Sequence, residues 1–435
     1  MTEKRNEIGV AVLGFGTVGA GVVEILLAQG DLLAARLGVR VALRAVCDLD
    51  LDTDRGVEVP DGILSRDSAA AIARDDVDVV VETIGGCGIA RTLVLDALRR
   101  GKAVVTANKK LIAEHGKELF ETARANGARL HFEASVGGGI PILKALTEGL
   151  VANRILRIEG ILNGTCNYIL TRMESEGLAF DPVLHAAQEA GYAEAEPSLD
   201  IDGHDTAHKA AILASLACGK LVEAKDVAVR GIRGIDARDI RYAGDLGYRI
   251  KLLAHMACGP AGLEVSVAPT LVGREHLLSQ VSGVFNAVLV EGDSVGTTLF
   301  YGRGAGRAAT ASAVVADIAD AAEAIARGGA WRYERLPEAG EIARRPRGEE
   351  ESRHYLRFSL RDTPGALARM AQTLGAHGIG IASVIQKEGE EGAKYVPVVM
   401  VTGKVKAAAL EAALAAIAAD GDWTEGETVS YPVNG

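Results

Sequence analysis

The segment from Gly191 to Lys209 contains five carboxylates, two histidines and one lysine between turn-forming glycines, and it leads into the apolar run 210–217. If a helix begins near His204, Asp205 and Lys209 are four residues apart and lie on the same helical face. An acid and an ammonium group then point into one pocket. Side chains of these types suit general acid–base chemistry on a small polar substrate.

Other interpretations of this segment are open from the residues alone. Asp205 and Lys209 also fit an exposed ion pair, which is worth about 0–1 kcal/mol and has no functional meaning. His204 and His208 have the spacing of a helical zinc pair, but Asp205 occupies the position of the glutamate in H-E-x-x-H and no third ligand is evident, so zinc is not expected. The density of acids favours a binding site, in which Glu194 and Asp205 suit a substrate ammonium and a desolvated lysine exchanges protons.

A glycine-rich motif near the N-terminus predicts a site for a dinucleotide. It follows the strand-like run Ile8–Leu13, precedes an apolar helical run, and has the pattern G-x-G-x-x-G. The motif consists of Gly14, Phe15, Gly16, Thr17, Val18 and Gly19. In this context the first glycine allows the tight turn, the second admits the pyrophosphate and the third lets helix and strand pack closely. A plain turn is the alternative.

The end of the second predicted strand bears on the choice of cofactor. The strand 39–47 is followed by Asp48, at the position where Rossmann-type domains place an acid on the adenine ribose. A carboxylate there repels a 2′-phosphate, so NAD is slightly favoured. Arg40, Arg44 and Arg55 are near enough in sequence to keep NADP open.

Strand and helix patterns alternate from residue 8 to residue 132, which predicts a parallel sheet covered by helices. Ligands of such sheets bind at the carboxyl ends of the strands. Lys109 and Lys110 follow one predicted strand end. Position slightly favours Lys109 as the functional lysine. The alternative is that the two lysines only begin a helix.

The glycine-rich segment 133–141 ends this alternation of strands and helices, and the strands after it predict an α+β domain. Residues 355–432 have the order βαββαβ, which predicts a ferredoxin-like sandwich.

The fold class is therefore α/β, with several domains in a chain of 435 residues. The predicted divisions are a Rossmann-type dinucleotide-binding domain at 1–135, an α+β substrate-binding and dimerisation domain at 136–306, a helix returning to the first domain at 307–334, a linker at 335–352 and a ferredoxin-like domain at 353–435.

Composition excludes several classes of protein. The net charge of −11 without a basic cluster disfavours a nucleic-acid partner. Five scattered cysteines without a C-x-x-C pair indicate neither a disulfide framework nor a zinc ribbon, and they fit a reducing cytoplasm. No signal peptide and no apolar stretch of about 18 residues is evident, so no membrane association is expected. Cys166 suggests a thiol nucleophile, as in aldehyde dehydrogenases, but no histidine or lysine lies at a spacing that would activate it.

Residues 8–326 resemble the homoserine dehydrogenase family, and the segments 362–367 and 378–386 resemble the ACT domain that many of its members carry. The most diagnostic stretch is the acidic segment 191–209, supported by Asn163-Gly164-Thr165 and by 133–141. The resemblance implies NAD(P)-dependent interconversion of L-homoserine and L-aspartate 4-semialdehyde, a step toward threonine, methionine and isoleucine. Residues 1–7 cannot hold an aspartokinase module, so a monofunctional enzyme is expected.

The resemblance also implies roles for particular residues. The implied catalytic residues are Lys209 as proton donor, with Lys109 assisting at the substrate oxygen and the cofactor. Glu194, Asp205 and Asp200 are implied at the substrate, and Gly191 and Gly306 beside the dinucleotide. The residues implied around a monovalent cation, Na⁺ or K⁺, held largely through backbone oxygens, are Glu133, Val136, Gly138 and Ile140. Family members are commonly dimers or tetramers. Their ACT domains often bind an amino acid such as threonine, which implies feedback regulation.

One departure from the family affects the cofactor. Many members end the second strand with an arginine that suits a 2′-phosphate, whereas this chain has Cys47-Asp48, which again favours NAD. A second class of function is a regulator that binds NAD and senses an amino acid without catalysis. The set of Glu194, Asp205 and Lys209 argues against that alternative.

Overall fold

The computed structural model describes residues 6–328, 337–338, 340, 342–346, 348–387, 393–420 and 423–434. Contacts between residues divide the chain into two compact units, each built from segments that are not consecutive. The first unit comprises 1–164, 205–228 and 284–341, and the second comprises 165–204, 229–283 and 342–435. The domain boundaries given above stay predictions, and the junction of returning helix and linker at 329–336 lies outside the described residues.

The helices follow the predicted order, with additional short ones between them. They are α1 (Thr17–Ala28), α2 (Gly30–Leu37), α3 (Ser68–Ala73), α4 (Gly88–Arg99), α5 (Lys109–Ala125), α6 (Ile142–Lys144), α7 (Gly164–Glu176), α8 (Phe180–Glu189), α9 (Ser198–Ile201), α10 (His204–Cys218), α11 (Ala237–Asp245), α12 (Arg307–Ala326), α13 (Ala366–Ala376) and α14 (Ala407–Ala419).

The strands also follow the predicted order. They are β1 (Glu7–Leu13), β2 (Arg40–Cys47), β3 (Leu64–Ser65), β4 (Val79–Glu82), β5 (Ala103–Thr106), β6 (Leu130–His131), β7 (Ile155–Ile161), β8 (Ala228–Val229), β9 (Tyr248–Gly259), β10 (Gly262–Gly273), β11 (Phe285–Gly292), β12 (Gly296–Arg303), β13 (Glu351–Arg361), β14 (Ile381–Gln386), β15 (Tyr395–Thr402), β16 (Val405–Lys406) and β17 (Val429–Asn434).

The first unit contains a six-stranded parallel sheet in the order β3-β2-β1-β4-β5-β6. This is the strand order of a Rossmann-type domain, and it confirms that prediction. The sheet is apolar because helices cover it; Val10 and Val12 of β1 are fully buried. Helix α12 joins the same core through Ala311 and Val314, so this late helix packs onto the dinucleotide-binding sheet.

A second set of strands in the first unit is antiparallel, in the order β12-β11-β7. Its end is joined to the glycine-rich segment after β6 by a hydrogen bond from Gly139 N to Arg303 O of 3.1 Å. Gly138 has a positive φ of 56°, and a Cβ there would lie 2.5 Å from the carbonyl carbon of Gly304. The glycines are therefore needed for close approach of two backbone segments.

The second unit contains the predicted ferredoxin-like fold, with strand order β17-β13-β15-β14 and helices α13 and α14. Its core includes Phe358, Met370, Leu410 and Trp423. Strand β17 also pairs in parallel with β10, which forms an antiparallel pair with β9. The ferredoxin-like sheet thus continues into a mixed sheet. The α/β fold class, with a parallel Rossmann-type sheet and a ferredoxin-like domain, is confirmed.

Within the described residues no single helix is long and apolar enough to cross a membrane. The bent pair α1 and α2 meets the length and composition criteria only when its two helices are taken together.

Candidate active site

Helix α10 places the acid and the lysine of the acidic segment together, as their spacing predicts. It begins at His204, and Asp205 and Lys209 are only 2% and 7% exposed. Lys209 Nζ donates to Asp205 Oδ2 at 2.7 Å and to the Leu162 carbonyl at 2.6 Å. Because both groups are buried, the interpretation as an exposed surface pair is wrong.

Two further side chains meet the same carboxylate. Asn163 Nδ2 donates to Asp205 Oδ2 at 2.9 Å, and the Lys109 ammonium forms an ion pair with Asp205 Oδ1. Lys110 instead faces Glu114, with Nζ 3.9 Å from Oε1. The geometry therefore places Lys109, and not Lys110, at the Asp205 carboxylate, a choice that sequence position favours only slightly.

The electrostatics of this group are those of two cations around one buried anion. Burial alone would raise the pKa of Asp205, but the charges and hydrogen bonds of Lys209 and Lys109 outweigh it and hold that pKa below its ordinary value. Asp205 is therefore ionised at neutral pH. Two ammonium groups on one carboxylate leave an excess positive charge, which suits an oxygen that gains negative charge during a reaction.

The start of α5, which carries Lys109, is held by polar side chains at the carboxyl ends of β4 and β5. Asn108 caps α5 by accepting from Leu111 N at 3.0 Å, and its amide donates to the Gly86 carbonyl at 2.6 Å. Thr106 Oγ1 donates to Glu82 Oε2 at 2.5 Å. Sequence reasoning places both stretches at strand ends but gives these supporting groups no role of their own. Their positions at two strand ends, next to the candidate lysine, are the signal that would have found them.

The glycine motif has the geometry that a dinucleotide site requires. Gly14 has φ 93°, and a Cβ there would lie 2.7 Å from the Thr83 carbonyl carbon. A Cβ on Gly19 would lie 1.9 Å from the Gly14 carbonyl oxygen, so helix and strand pack too closely for any other residue. A Cβ on Gly16 would meet nothing within 4 Å, and α1 begins directly after it. The helix start is thus open to a phosphate.

The motif also contains Phe15, Thr17 and Val18. Thr17 opens α1 and is exposed, and Val18 packs against the core of the sheet. The Phe15 ring is buried in that core, so its backbone, not its side chain, is available to a ligand.

Asp48 and Arg55 both contact the glycine loop. Asp48 Oδ2 accepts from Phe15 N at 2.5 Å, and Arg55 Nε donates to Phe15 O at 3.0 Å. Arg40 begins β2 and Arg44 pairs with Asp76 and Glu7, so both lie away from the carboxyl end of that strand. Among the three candidate arginines, Arg55 is the one that the structure places at the loop.

The segment proposed to hold a cation is almost entirely buried, including Val136 and Ile140. The Glu133 carboxylate accepts from the amides of Leu143 and Lys144 at 2.9 and 2.8 Å, so it caps α6. The Glu133 carbonyl accepts a hydrogen bond from Val136 N, and the Ile140 carbonyl accepts one from Ile142 N. Each carbonyl oxygen has a second lone pair, so these groups still fit a hard monovalent cation.

Buried acids surround this segment. Burial, reinforced by the charge of Asp317, raises the pKa of Glu133 to about 8, against the two amide hydrogen bonds. Burial likewise raises the pKa of Asp317 to about 6, although the Lys144 ammonium lies 3.3 Å from it. Asp317 Oδ2 accepts from Glu133 N at 2.9 Å and so ties α12 to this segment.

The remaining predicted residues are distributed between the units. In the second unit Gly191 has φ 73°, Glu194 is exposed, and the Asp200 carbonyl accepts from Cys166 Sγ at 3.2 Å. Cys166 is fully buried, which makes it unsuitable as a nucleophile. In the first unit Gly306 has φ 112° and precedes α12.

A Rossmann-type sheet with an open glycine loop, together with a buried lysine–carboxylate group, defines a dinucleotide-dependent oxidoreductase. Family models agree, matching the homoserine dehydrogenase NAD-binding domain at 14–133, homoserine dehydrogenase at 141–319 and the ACT domain at 354–419. The homoserine dehydrogenase of Neisseria gonorrhoeae is 45% identical over 384 residues, covering 87% of this chain and 88% of that protein. The chain belongs to the homoserine dehydrogenase family.

Solved structures support the same assignment. The crystal structure of a homoserine dehydrogenase from Thiobacillus denitrificans has a TM-score of 0.92 and 39% identity, with 98% of each chain covered. A hyperthermophilic archaeal homoserine dehydrogenase in complex with NADPH has a TM-score of 0.61 and 29% identity, covering 72% of this chain and 97% of that one. Neither the non-catalytic regulator nor the Cys166-dependent aldehyde dehydrogenase is favoured by these matches.

Proposed function

We propose that this homoserine dehydrogenase uses Lys209 to exchange the proton at the substrate oxygen, with Lys109 stabilising the charge on that oxygen. The observation that carries this proposal is the buried group of two ammonium ions on Asp205. A bound nicotinamide cofactor supplies or accepts the hydride. Lys209 is oriented by Asp205 and Leu162, so the proton is presented from a fixed position.

The excess positive charge of the group formed by Lys209, Lys109 and Asp205 is a second observation that supports this role of the two lysines. In the direction of reduction, the substrate carbonyl oxygen gains negative charge before it is protonated. Two fixed ammonium groups on a buried carboxylate, one of them itself buried, stabilise that charge without reorganising. Asp205 keeps both ammonium groups in place and, by the resemblance, contacts the substrate.

From the resemblance we also propose that Glu194 and Asp200 bind the substrate and that Gly191 and Gly306 border the dinucleotide. Glu194 is exposed and its carboxylate is an appropriate partner for the amino group of homoserine. Glu194→Gln is expected to raise KM for homoserine with a smaller effect on kcat. An unchanged KM would remove Glu194 from the substrate site.

For the cofactor we propose NAD or NADP, with NAD slightly favoured. Asp48 at the loop disfavours a 2′-phosphate, whereas Arg55 at Phe15 can tolerate one, and an archaeal relative was crystallised with NADPH. Initial rates with homoserine and either cofactor test this proposal together with the activity itself. No cofactor reduction with homoserine would overturn the function, and a kcat/KM that favours NADP would overturn the preference.

We further propose that the carbonyls of Glu133, Val136, Gly138 and Ile140 hold Na⁺ or K⁺. The burial of this segment and its glycine-permitted turns support the assignment. Activity in K⁺ or Na⁺ buffer is expected to exceed activity in a buffer with a bulky organic cation at equal ionic strength. Equal rates in all three buffers would contradict it.

The ACT domain is proposed to bind threonine and to inhibit the enzyme, which is proposed to be a cytoplasmic homodimer or homotetramer. Initial rates with and without millimolar threonine test regulation, and light scattering tests the oligomeric state.

We also propose the domain boundaries at 135, 306, 334 and 352. Limited proteolysis is expected to cut first within 335–352.

A further inference from the structure

Three metal-ligating side chains meet at the surface of the first unit, away from the segment proposed for Na⁺ or K⁺. They are Cys87, directly before α4, and Glu114 and His115 on α5, and their ligand atoms lie within 4.8 Å of one another. Cys87 Sγ is 3.5 Å from Glu114 Oε2. Thiolate, imidazole and carboxylate are the donors that zinc binds in proteins.

A fourth side chain supports this cluster from the protein interior. His208 is 7% exposed, and its Nε2 lies 3.5 Å from Glu114 Oε1. Its Nδ1 is buried without a hydrogen-bond partner among the described residues. A buried imidazole aimed at a carboxylate is the arrangement that orients a ligating group from behind.

A simple thiol–carboxylate hydrogen bond would explain the contact between Cys87 and Glu114. It would not explain why His115 lies in the same cluster and why His208, on a different helix, also faces the Glu114 carboxylate. Lys110 is a competing cation; its Nζ is 3.9 Å from Glu114 Oε1, and its side chain is about half exposed and can turn into solvent. A metal ion can therefore replace it.

We propose that Cys87, Glu114 and His115 bind a divalent transition-metal ion of the zinc class, with His208 orienting Glu114. Three protein ligands leave a fourth position for water. The thiolate favours such an ion over Mg²⁺ or Ca²⁺, which take oxygen ligands. His208 is adjacent to Lys209 on α10, so the site joins the loop after β4 to the helix that carries the proposed proton donor.

Titration of the metal-free full-length protein with Co²⁺ tests the proposal, because a cobalt–thiolate bond has a charge-transfer absorption in the near ultraviolet. The wild-type protein is expected to show this band at one equivalent. Cys87→Ser should abolish it, and His115→Ala should weaken Co²⁺ binding by at least about tenfold. Added Zn²⁺ should remove the band by displacing Co²⁺.

Cys218→Ser is the matched control, because Cys218 is a partly exposed cysteine of the same unit outside the cluster. It is expected to retain the band. Circular dichroism and thermal melting confirm that each variant is folded, and His115→Ala keeps the test valid if Cys87→Ser does not fold. Absence of a band in the wild type, its survival in Cys87→Ser, or unchanged affinity in His115→Ala would overturn the proposal.

Discussion

Asp205 and Asp239 are two of the buried carboxylates among the described residues, one in each unit, and their partners differ. Asp205 is held by the primary ammonium groups of Lys209 and Lys109, one of which is about one-third exposed. Asp239 accepts from Arg357 through Nε at 2.5 Å and NH2 at 2.9 Å, and from the Tyr355 hydroxyl at 2.7 Å. Both are ion pairs in a low-dielectric interior, yet only the first resembles a catalytic group.

The difference lies in which partner can release a proton. Burial alone would lower the pKa of Arg357, but Asp239 outweighs it and the pKa lies above its already high ordinary value. Burial and the charge of Asp239 also raise the pKa of Tyr355. Neither group exchanges protons near neutral pH, so the Asp239 pair fixes α11 to β13. A lysine is an ammonium that exchanges protons more readily, which makes the Asp205 group suited to chemistry.

The largest expected effect is that of Lys209→Ala. Losing a positioned proton-transfer group should lower kcat by about 10²- to 10⁴-fold, because such groups typically contribute that factor. Binding of the dinucleotide, measured by fluorescence titration of NADH, should change little. Wild-type turnover in this variant would remove Lys209 from the mechanism.

The Asp239 pair is expected to affect stability and not chemistry. Asp239→Ala leaves the Arg357 guanidinium and the Tyr355 hydroxyl buried without their acceptor, which should cost about 3–5 kcal/mol of unfolding free energy. The kcat per folded molecule should stay close to that of the wild type. Urea denaturation measures the unfolding free energy, and active-site titration gives kcat per folded molecule. A loss of kcat in fully folded Asp239→Ala would contradict a purely structural role for Asp239.

A smaller effect is expected for Lys109→Ala. It removes one charged hydrogen bond of about 1.5–3 kcal/mol, so kcat/KM for homoserine should fall by about 10- to 100-fold. Lys110→Ala is the matched control, because it removes a half-exposed lysine that faces Glu114 and should change kcat/KM by no more than about twofold. Equal losses in both variants would show that the choice between these lysines is wrong.

The smallest effect concerns the pH dependence of stability. The pKa of Glu133 is raised from 4.5 to about 8, so its favourable contribution is complete below pH 4.5 and is lost as the pH rises to about 8. Asp205, whose pKa is lowered, adds no slope in that range, and Asp317 titrates near pH 6. Unfolding free energy should therefore decrease between pH 6 and 8.

Glu133→Gln should flatten this decrease, as measured by urea denaturation at pH 6, 7 and 8. Glu148→Gln, a change at a partly exposed acid on the same chain segment, should leave the slope unchanged. A slope that persists in Glu133→Gln would assign it to another group.

Much of this organisation follows from local sequence pattern. The apolar run 103–106 predicts a strand with the bounds of β5, and α10 begins at the predicted His204, because the spacing of apolar residues and the glycine turns determine both. The glycine motif, Lys109 and the pairing of Asp205 with Lys209 could be found in the same way. These are interactions within a short segment or at an expected strand end.

Long-range interactions could not be predicted. Asp239 and Arg357 are separated by 118 residues, and neither has a distinctive neighbour. The apolar run 263–267 predicts a strand that ends before Pro269. Strand β10 instead continues to Gly273, because it gains partners in β9 and β17 that outweigh the strand-ending tendency of Pro269. The turn indicated by Asn163-Gly164 predicts a helix that begins later, at Tyr168, but α7 begins at Gly164.

The most direct test of the central claim is Lys209→Arg. A guanidinium keeps the positive charge beside Asp205 but does not release its proton near neutral pH, so it converts this group into the type found at Asp239. In protein shown by dinucleotide binding and thermal melting to be folded, we expect kcat to fall by about 10²- to 10⁴-fold, as in Lys209→Ala. Turnover near the wild-type value would show that charge alone suffices and would contradict proton transfer by Lys209.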